Sequence, residues 1–138
     1  MFECLGNGEI SSLVATTNRG LSYADGLFET LVVRNSRPLR WQSHMDRLGA
    51  GCERLGLAMP PQVVLLREVQ TVSAGLPEAV VKIVLTRDGQ ARGYMPPEDN
   101  SCLRIVSSHV YPDGTVEIAR EGVKARICDL RLAIQPAL

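Results

Sequence analysis

Polar and apolar positions change rhythm along the chain, and each change predicts an element. MFECLGNGEI, residues 1–10, sets turn chemistry at Gly6-Asn7-Gly8 between short apolar pieces and predicts a small hairpin. LFETLVVR, 27–34, is rich in β-forming residues and reads as a strand, which NSRP at 35–38 turns back into LRW. In WQSHMDRLGAGCERLGL the period lengthens: Met45, Leu48, Cys52 and Leu55 recur at helical spacing, and Ser43 with Asp46 has the spacing of a capping box. PQVVLLREVQTVSAGL, 61–76, predicts a second helix with proline in its first turn and Gly75 near its end. After Pro77 the strand rhythm returns in AVVKIVLTR, 79–87, and in CLRIVSSHV, 102–110, with the Gly- and Pro-rich DGQARGYMPPED between them. Tyr111-Pro112-Asp113-Gly114 breaks the last strand, and GVKARICDLRLAIQPAL reads as a further extended stretch. This order predicts an α+β fold: a largely antiparallel sheet with two helices packed on one side.

Composition narrows the function classes. A chain of 138 residues, 45% hydrophobic and 22% charged, predicts one soluble globular core. Fifteen basic residues balance fifteen acidic ones, so no net field gathers nucleic acid or an anionic membrane. No apolar run approaches membrane-spanning length, and the N-terminus has no basic segment followed by an apolar one, so no export signal is read. Cys4, Cys52, Cys102 and Cys128 stand far apart without close Cys or His partners; no zinc site is expected, and reduced thiols in the cytoplasm are. Only Lys82 and Lys124 carry an amine side chain, which limits any lysine chemistry to those two.

Several residues could carry chemistry. Gly6 and Gly8 do not make a dinucleotide fingerprint, because no helix follows them. His44, Arg47 and Gly51 fall along one side of the first helix, off its apolar stripe. An arginine fork suits a phosphate, and the glycine one turn on would clear its approach; a solvated arginine beside a packed histidine fits the spacing as well. Lys82 lies among Val80, Val81, Ile83 and Val84, so it either faces a cavity or an anion, or points outward from a wet sheet face. TRDGQARGY, 86–94, could offer backbone N–H groups and guanidinium forks to an acidic ligand, or be a plain solvated loop. His109 has no nucleophile in a recognisable arrangement and reads as structural, and no paired-carboxylate or nucleophile-elbow pattern is present.

Taken in order, NRGLSYADGLFETL, HMDRLGAGCERLGL, VKIVLTRDGQARGY and DLRLAIQPAL resemble the N-terminal half of the fold-type IV pyridoxal-phosphate (PLP) enzymes. That family includes branched-chain and D-amino-acid aminotransferases and the lyase acting on 4-amino-4-deoxychorismate. The first two blocks are shared widely in it; the last two point to the lyase branch. The resemblance implies that Arg47, in H-x-x-R-L, contacts the PLP phosphate. It implies looser substrate roles for Lys82, on a strand that offers a carboxylate contact in relatives, and for Arg92 and Tyr94 of R-G-Y. It makes NRGLSYADGLFETL a turn whose glycines admit the cofactor and whose aromatics wall its cleft. The family usually has Asp at the position of Asn18 and Gly at that of Ala24, and T-R-G where this chain reads TRDG. Asn18 preserves turn-forming hydrogen bonds, whereas Asp88 would be strained if the backbone there needed positive φ.

The resemblance also implies what lies around this segment. The small domain would take residues 1–112, a linker 113–122, and the start of a larger second domain 123–138. The lysine that holds the PLP aldehyde would fall in a K-H-L-N-R-like motif a few residues beyond Leu138, so no catalytic residue is expected within the 138 and these residues alone would be inactive. The whole enzyme would be a cytoplasmic homodimer releasing pyruvate and 4-aminobenzoate, a folate precursor. Transamination of another substrate, and a binding or assembly domain without cofactor, stay open as alternatives.

Overall fold

The computed structural model describes residues 3–89 and 93–131. Strand β1 (Glu3–Gly6) and β2 (Glu9–Ile10) form the opening hairpin, followed by a short helix α1 (Arg19–Tyr23). Strand β3 (Gly26–Arg34) turns into the two-residue β4 (Arg37–Pro38). Helices α2 (Trp41–Leu55) and α3 (Gln62–Val72) follow, then β5 (Glu78–Arg87), β6 (Cys102–Val110) and helix α4 (Thr115–Glu121). The strands make one antiparallel sheet in the order β2-β1-β6-β5-β3-β4. The long strand β5 lies at its centre, with Thr30 opposite Lys82 on one side and Ser107 opposite Lys82 on the other.

Alternation along the strands decides where the core sits. Leu31 and Val33 of β3, Val81, Ile83 and Leu85 of β5 and Val106 of β6 point to the same face and are buried. Met45, Leu48 and Cys52 of α2 and Leu65, Val69 and Val72 of α3 close over them, as the helical stripe requires. Burying each such side chain contributes about 1.5–3 kcal/mol. The predicted α+β architecture is therefore found, with α2 and α3 on one face.

Four expectations are corrected. The chain has two further short helices among the described residues, α1 and α4; both are too brief to show an apolar period, and α4 buries no side chain. Ser43 is not a cap: α2 starts two residues earlier, after Arg40 in a left-handed conformation, and Asp46 accepts from Gln42 Nε2 at 2.8 Å inside the helix. Helix α3 ends at Val72, because the buried Ser73 folds its hydroxyl back onto the Val69 carbonyl at 2.8 Å. Residues 123–131 form no strand; Val123, Ile127 and Leu130 are exposed, and no neighbouring strand supplies a ladder. No helix among the described residues is long and apolar enough to cross a membrane.

Candidate functional site

The sheet places one carboxylate where an apolar side chain would be expected. Glu29 shares the inward row of β3 with Leu27, Leu31 and Val33 and is only 2% exposed. Burying an ionised carboxylate is costly unless it is paired. Helix α2 supplies the partners one turn apart. Arg47 donates from Nε to Oε1 at 2.7 Å and from Nη2 to Oε2 at 2.6 Å, and His44 Nδ1 meets Oε2 at 2.6 Å. An ionised carboxylate only accepts, so Nδ1 carries the proton in that contact. Burial alone would push the Glu29 carboxyl up; the hydrogen bonds from Arg47 and His44, with their charges, hold it below its ordinary range instead. The same bond raises Arg47 further.

Arg47 is anchored but not covered. Its side chain is 71% exposed, and its Nη1 donates to no described residue. It borders a hollow of about 310 Å³ between α2 and β3, lined also by Leu27, Phe28, Gly51, Arg54 and Leu55. Strand β4 pairs only with Val33 and Arg34, so among the described residues the β3 edge beside this hollow has no strand partner from Gly26 to Leu31. Gly51, which lines the hollow, also has a packing part. A Cβ there would meet Leu27 Cδ1 at 2.9 Å, so its absence lets α2 approach β3.

A second polar cluster lies just before the start of the same strand. Asp25 Oδ2 accepts from Arg19 Nε at 2.8 Å and from Arg87 Nε at 3.0 Å, with both arginine side chains almost wholly buried. Arg19 also donates to the carbonyls of Gly93 at 3.0 Å and Tyr94 at 3.4 Å, and stacks on Tyr23. Arg87 reaches the end of α2, donating to the carbonyls of Leu55 and of Gly56 at 3.1 Å. Helix α1 thus rests on the sheet face opposite α2 and α3. A Cβ on Gly20 would lie 2.2 Å from Thr86 Cγ2, and the Asn18 amide donates to Thr86 Oγ1 at 3.0 Å while its oxygen caps Leu21 N. The start of NRGLSYADGLFETL is therefore one helical turn clamped onto β5, and Gly20 serves that seat. The strain expected at Asp88 is found at Ala24, which closes α1 at φ 54°; Asp88 is not among the positive-φ residues.

The remaining sequence-predicted residues are dispersed. Lys82 lies on the sheet face away from α2 and α3, with Nζ 4.5 Å from the Phe28 ring centroid; Phe28 itself lines the Arg47 hollow. Tyr94 is 90% exposed and packs edge-on against Tyr23 at 5.7 Å, beside a separate hollow with Arg19 and Arg87; Arg54 borders both hollows. Arg92 lies outside the described residues. Among the described residues no cluster could hold a metal ion, and the four cysteines are free thiols. Sequence reasoning missed Glu29 and Arg54. Glu29 had a signal, a charge in the inward register of a predicted strand.

Comparison with known proteins gives this architecture its family. The family model of amino-transferase class IV matches residues 26–137, and the chain belongs to that family. It is 27% identical over 132 residues to an aminodeoxychorismate lyase of Vibrio harveyi, covering 96% of this chain and 49% of that relative. The crystal structure of 4-amino-4-deoxychorismate lyase from Pseudomonas aeruginosa superposes with a TM-score of 0.85 at 36% identity, over 97% of this chain and 49% of that one. A hypothetical aminotransferase from Mycobacterium tuberculosis, in a PLP-bound form, shares the fold at a TM-score of 0.68 and 20% identity, over 88% of this chain and 44% of its own. The chain spans about half the length of the lyases it matches. The four-block resemblance is borne out at the level of family and fold.

Proposed function

We propose that this chain forms the phosphate-gripping small domain of a PLP-dependent 4-amino-4-deoxychorismate lyase that yields 4-aminobenzoate and pyruvate. One observation carries the reading: an arginine tethered along one edge, with its Nη1 side open over a hollow large enough for a phosphate. The donor set fits a dianion, since a planar fork with spare N–H groups beside Arg54 attracts phosphate more than it does a metal or a neutral ligand. When bound, PLP supplies the electron sink through which a ring proton leaves, the bond to pyruvate breaks and the ring becomes aromatic.

The residues of this chain position and orient. Arg47 holds the phosphate and so fixes where the reactive end of the cofactor points. Phe28 and Leu27 keep water from the inner wall of the hollow. In this reading Tyr94, packed against Tyr23 of α1, contacts the substrate, Arg92 of the same R-G-Y shares that role, and Lys82 offers a more distant carboxylate contact across Phe28. Neither lysine is placed to move the ring proton: Lys82 does not line the hollow, and Lys124 lies in the exposed stretch after α4. The 138 residues by themselves are accordingly inactive, with the lysine supplied by the second domain. In this reading residues 1–112 are the small domain, 113–122 the linker that contains α4, and 123–138 the entry to that second domain. The whole enzyme works as a cytoplasmic homodimer.

Transamination is the second reading, favoured by the fold shared with the branched-chain aminotransferase of Escherichia coli at a TM-score of 0.70 and 20% identity over 79% of this chain and 40% of that one. The longer protein, loaded with PLP and given 4-amino-4-deoxychorismate, is expected to release pyruvate and 4-aminobenzoate in equal amounts. Amino-group transfer between an amino acid and a 2-oxo acid, without pyruvate release from that substrate, would select the second reading.

A further inference from the structure

Glu29 and Glu68 are both buried and both held by an arginine fork, but the Arg47 that Glu29 holds is far more exposed than the Arg104 on Glu68 and borders the hollow. Glu29 stands in the core row of β3, yet both oxygens face α2 and are taken there, Oε1 by Arg47 Nε and Oε2 by Arg47 Nη2 and His44 Nδ1. The arginine it holds is the exposed one, on the rim of the hollow. We propose that Glu29 is the positioning residue of the anion site: it fixes the Arg47 guanidinium by one edge so that the Nη1 edge faces the phosphate, with His44 fixing the carboxylate in turn.

The proposal rests on the phosphate reading of Arg47, and it adds a statement about how affinity arises. Arginine is long and flexible, and an exposed guanidinium free to rotate must be ordered again each time an anion binds. The carboxylate fork removes that cost in advance, because two parallel N–H···O contacts define the plane as well as the position of the guanidinium. His44, three residues before Arg47 on the same helix, blocks the rotation of Glu29 that would release one oxygen. The arrangement carries an apparent disadvantage: a negative charge lies within hydrogen-bond distance of the cation meant to attract a dianion. Charge counting and positioning therefore predict opposite outcomes when Glu29 loses its charge. Without the carboxylate the site gains a unit of positive charge, which by attraction alone strengthens phosphate binding. If orientation dominates, binding weakens despite the added charge.

The test uses inorganic phosphate and PLP as probes, with the 138-residue chain and the longer protein, in wild-type form and as Glu29→Gln, Arg47→Lys, the double variant of these two, and Arg47→Ala. Affinity is read by titration calorimetry and the fold by circular dichroism and thermal melting. The expected result is about tenfold weaker binding for Glu29→Gln, in the range found when a group that orients a binding residue is removed. A similar loss is expected for Arg47→Lys, which keeps charge but has no fork, and no further loss in the double variant, because both changes undo one device. Equal or tighter binding by a folded Glu29→Gln chain overturns the positioning role while leaving Arg47 as the phosphate ligand. Additive losses in the double variant overturn it as well. Unchanged affinity in Arg47→Ala removes the phosphate reading itself, and the proposal with it. Should Glu29→Gln fail to fold, Arg47→Lys alone decides: affinity equal to wild type rules out a role for the fork.

Discussion

Two carboxylates on one strand region are each held by two cationic or imidazole partners, yet the two clusters do opposite jobs. Asp25 sits between Arg19 and Arg87, whose side chains are 2% and 5% exposed and whose remaining donors reach main-chain carbonyls. Glu29 sits between His44 and an Arg47 that is 71% exposed. The difference lies in where the other donors go. At Asp25 they are spent on the backbone, so the cluster ties α1, the end of α2 and the loop at Gly93 into one body. At Glu29 the backbone takes none of Arg47's side-chain donors, and the guanidinium still has an edge to offer. The same residue types thus make a clamp in one place and a receptor in the other, and burial together with backbone carbonyls separates the two.

The largest effect is expected from breaking the clamp. Arg87→Ala leaves Asp25 with Arg19 alone and the carbonyls of Leu55 and Gly56 without their side-chain donor, and the loss of these three charge-assisted hydrogen bonds should cost about 3 kcal/mol or more. Urea unfolding monitored at Trp41 measures it, and a loss no greater than that of a surface arginine would put the clamp in error. Next comes the seat of α1. Gly20→Ala forces a Cβ against Thr86 and should cost about 1–3 kcal/mol; Thr86→Ser, which removes the methyl at 2.2 Å but leaves Cβ at 2.7 Å and keeps the hydroxyl that Asn18 donates to, should restore only part of it. The receptor has a smaller influence on stability because Arg47 reaches water. Its signature is acid sensitivity. The carboxyl of Glu29 is lower in the folded chain than its ordinary value of 4.5, so its contribution is present above that value and disappears as pH falls through the folded one. Glu29→Gln should flatten the stability curve in that acid window and leave it parallel to wild type near neutrality; identical acid limbs would refute the pairing. The smallest effect is a gain: Ala24→Gly relieves a left-handed alanine and should stabilise by about 0.5 kcal/mol, since relief of strain slightly exceeds the added chain entropy.

The parts of this structure that the sequence announced are those governed by period. β3, β5 and β6 alternate, α2 and α3 carry apolar stripes, and each emerged within a few residues of its expected bounds. Shorter elements obey neighbours rather than period. Helix α1 exists because Asn18 caps it and Thr86 supports it from far along the chain. The start of α2 escaped because Arg40 adopts a left-handed turn that no local preference signals. Arg47 was visible as a motif residue, but its tether was not, because the partner is eighteen positions away and becomes adjacent only when α2 packs on β3. Gly51 illustrates the converse: the residue was noticed, and what the missing side chain makes room for is Leu27, which only the packing reveals.

Asp25 and Glu29 are separated by four positions leading into and along a single extended segment, about 13 Å at the usual strand rise. That even number acts as a ruler. Adding or deleting one residue between them would rotate every later side chain of the strand to the reverse side, sending Glu29 out to water and leaving His44 and Arg47 facing a gap. Insertions of two would keep the sidedness but drag the anion grip off its helix. Length variation among natural relatives should therefore be rejected within this short interval.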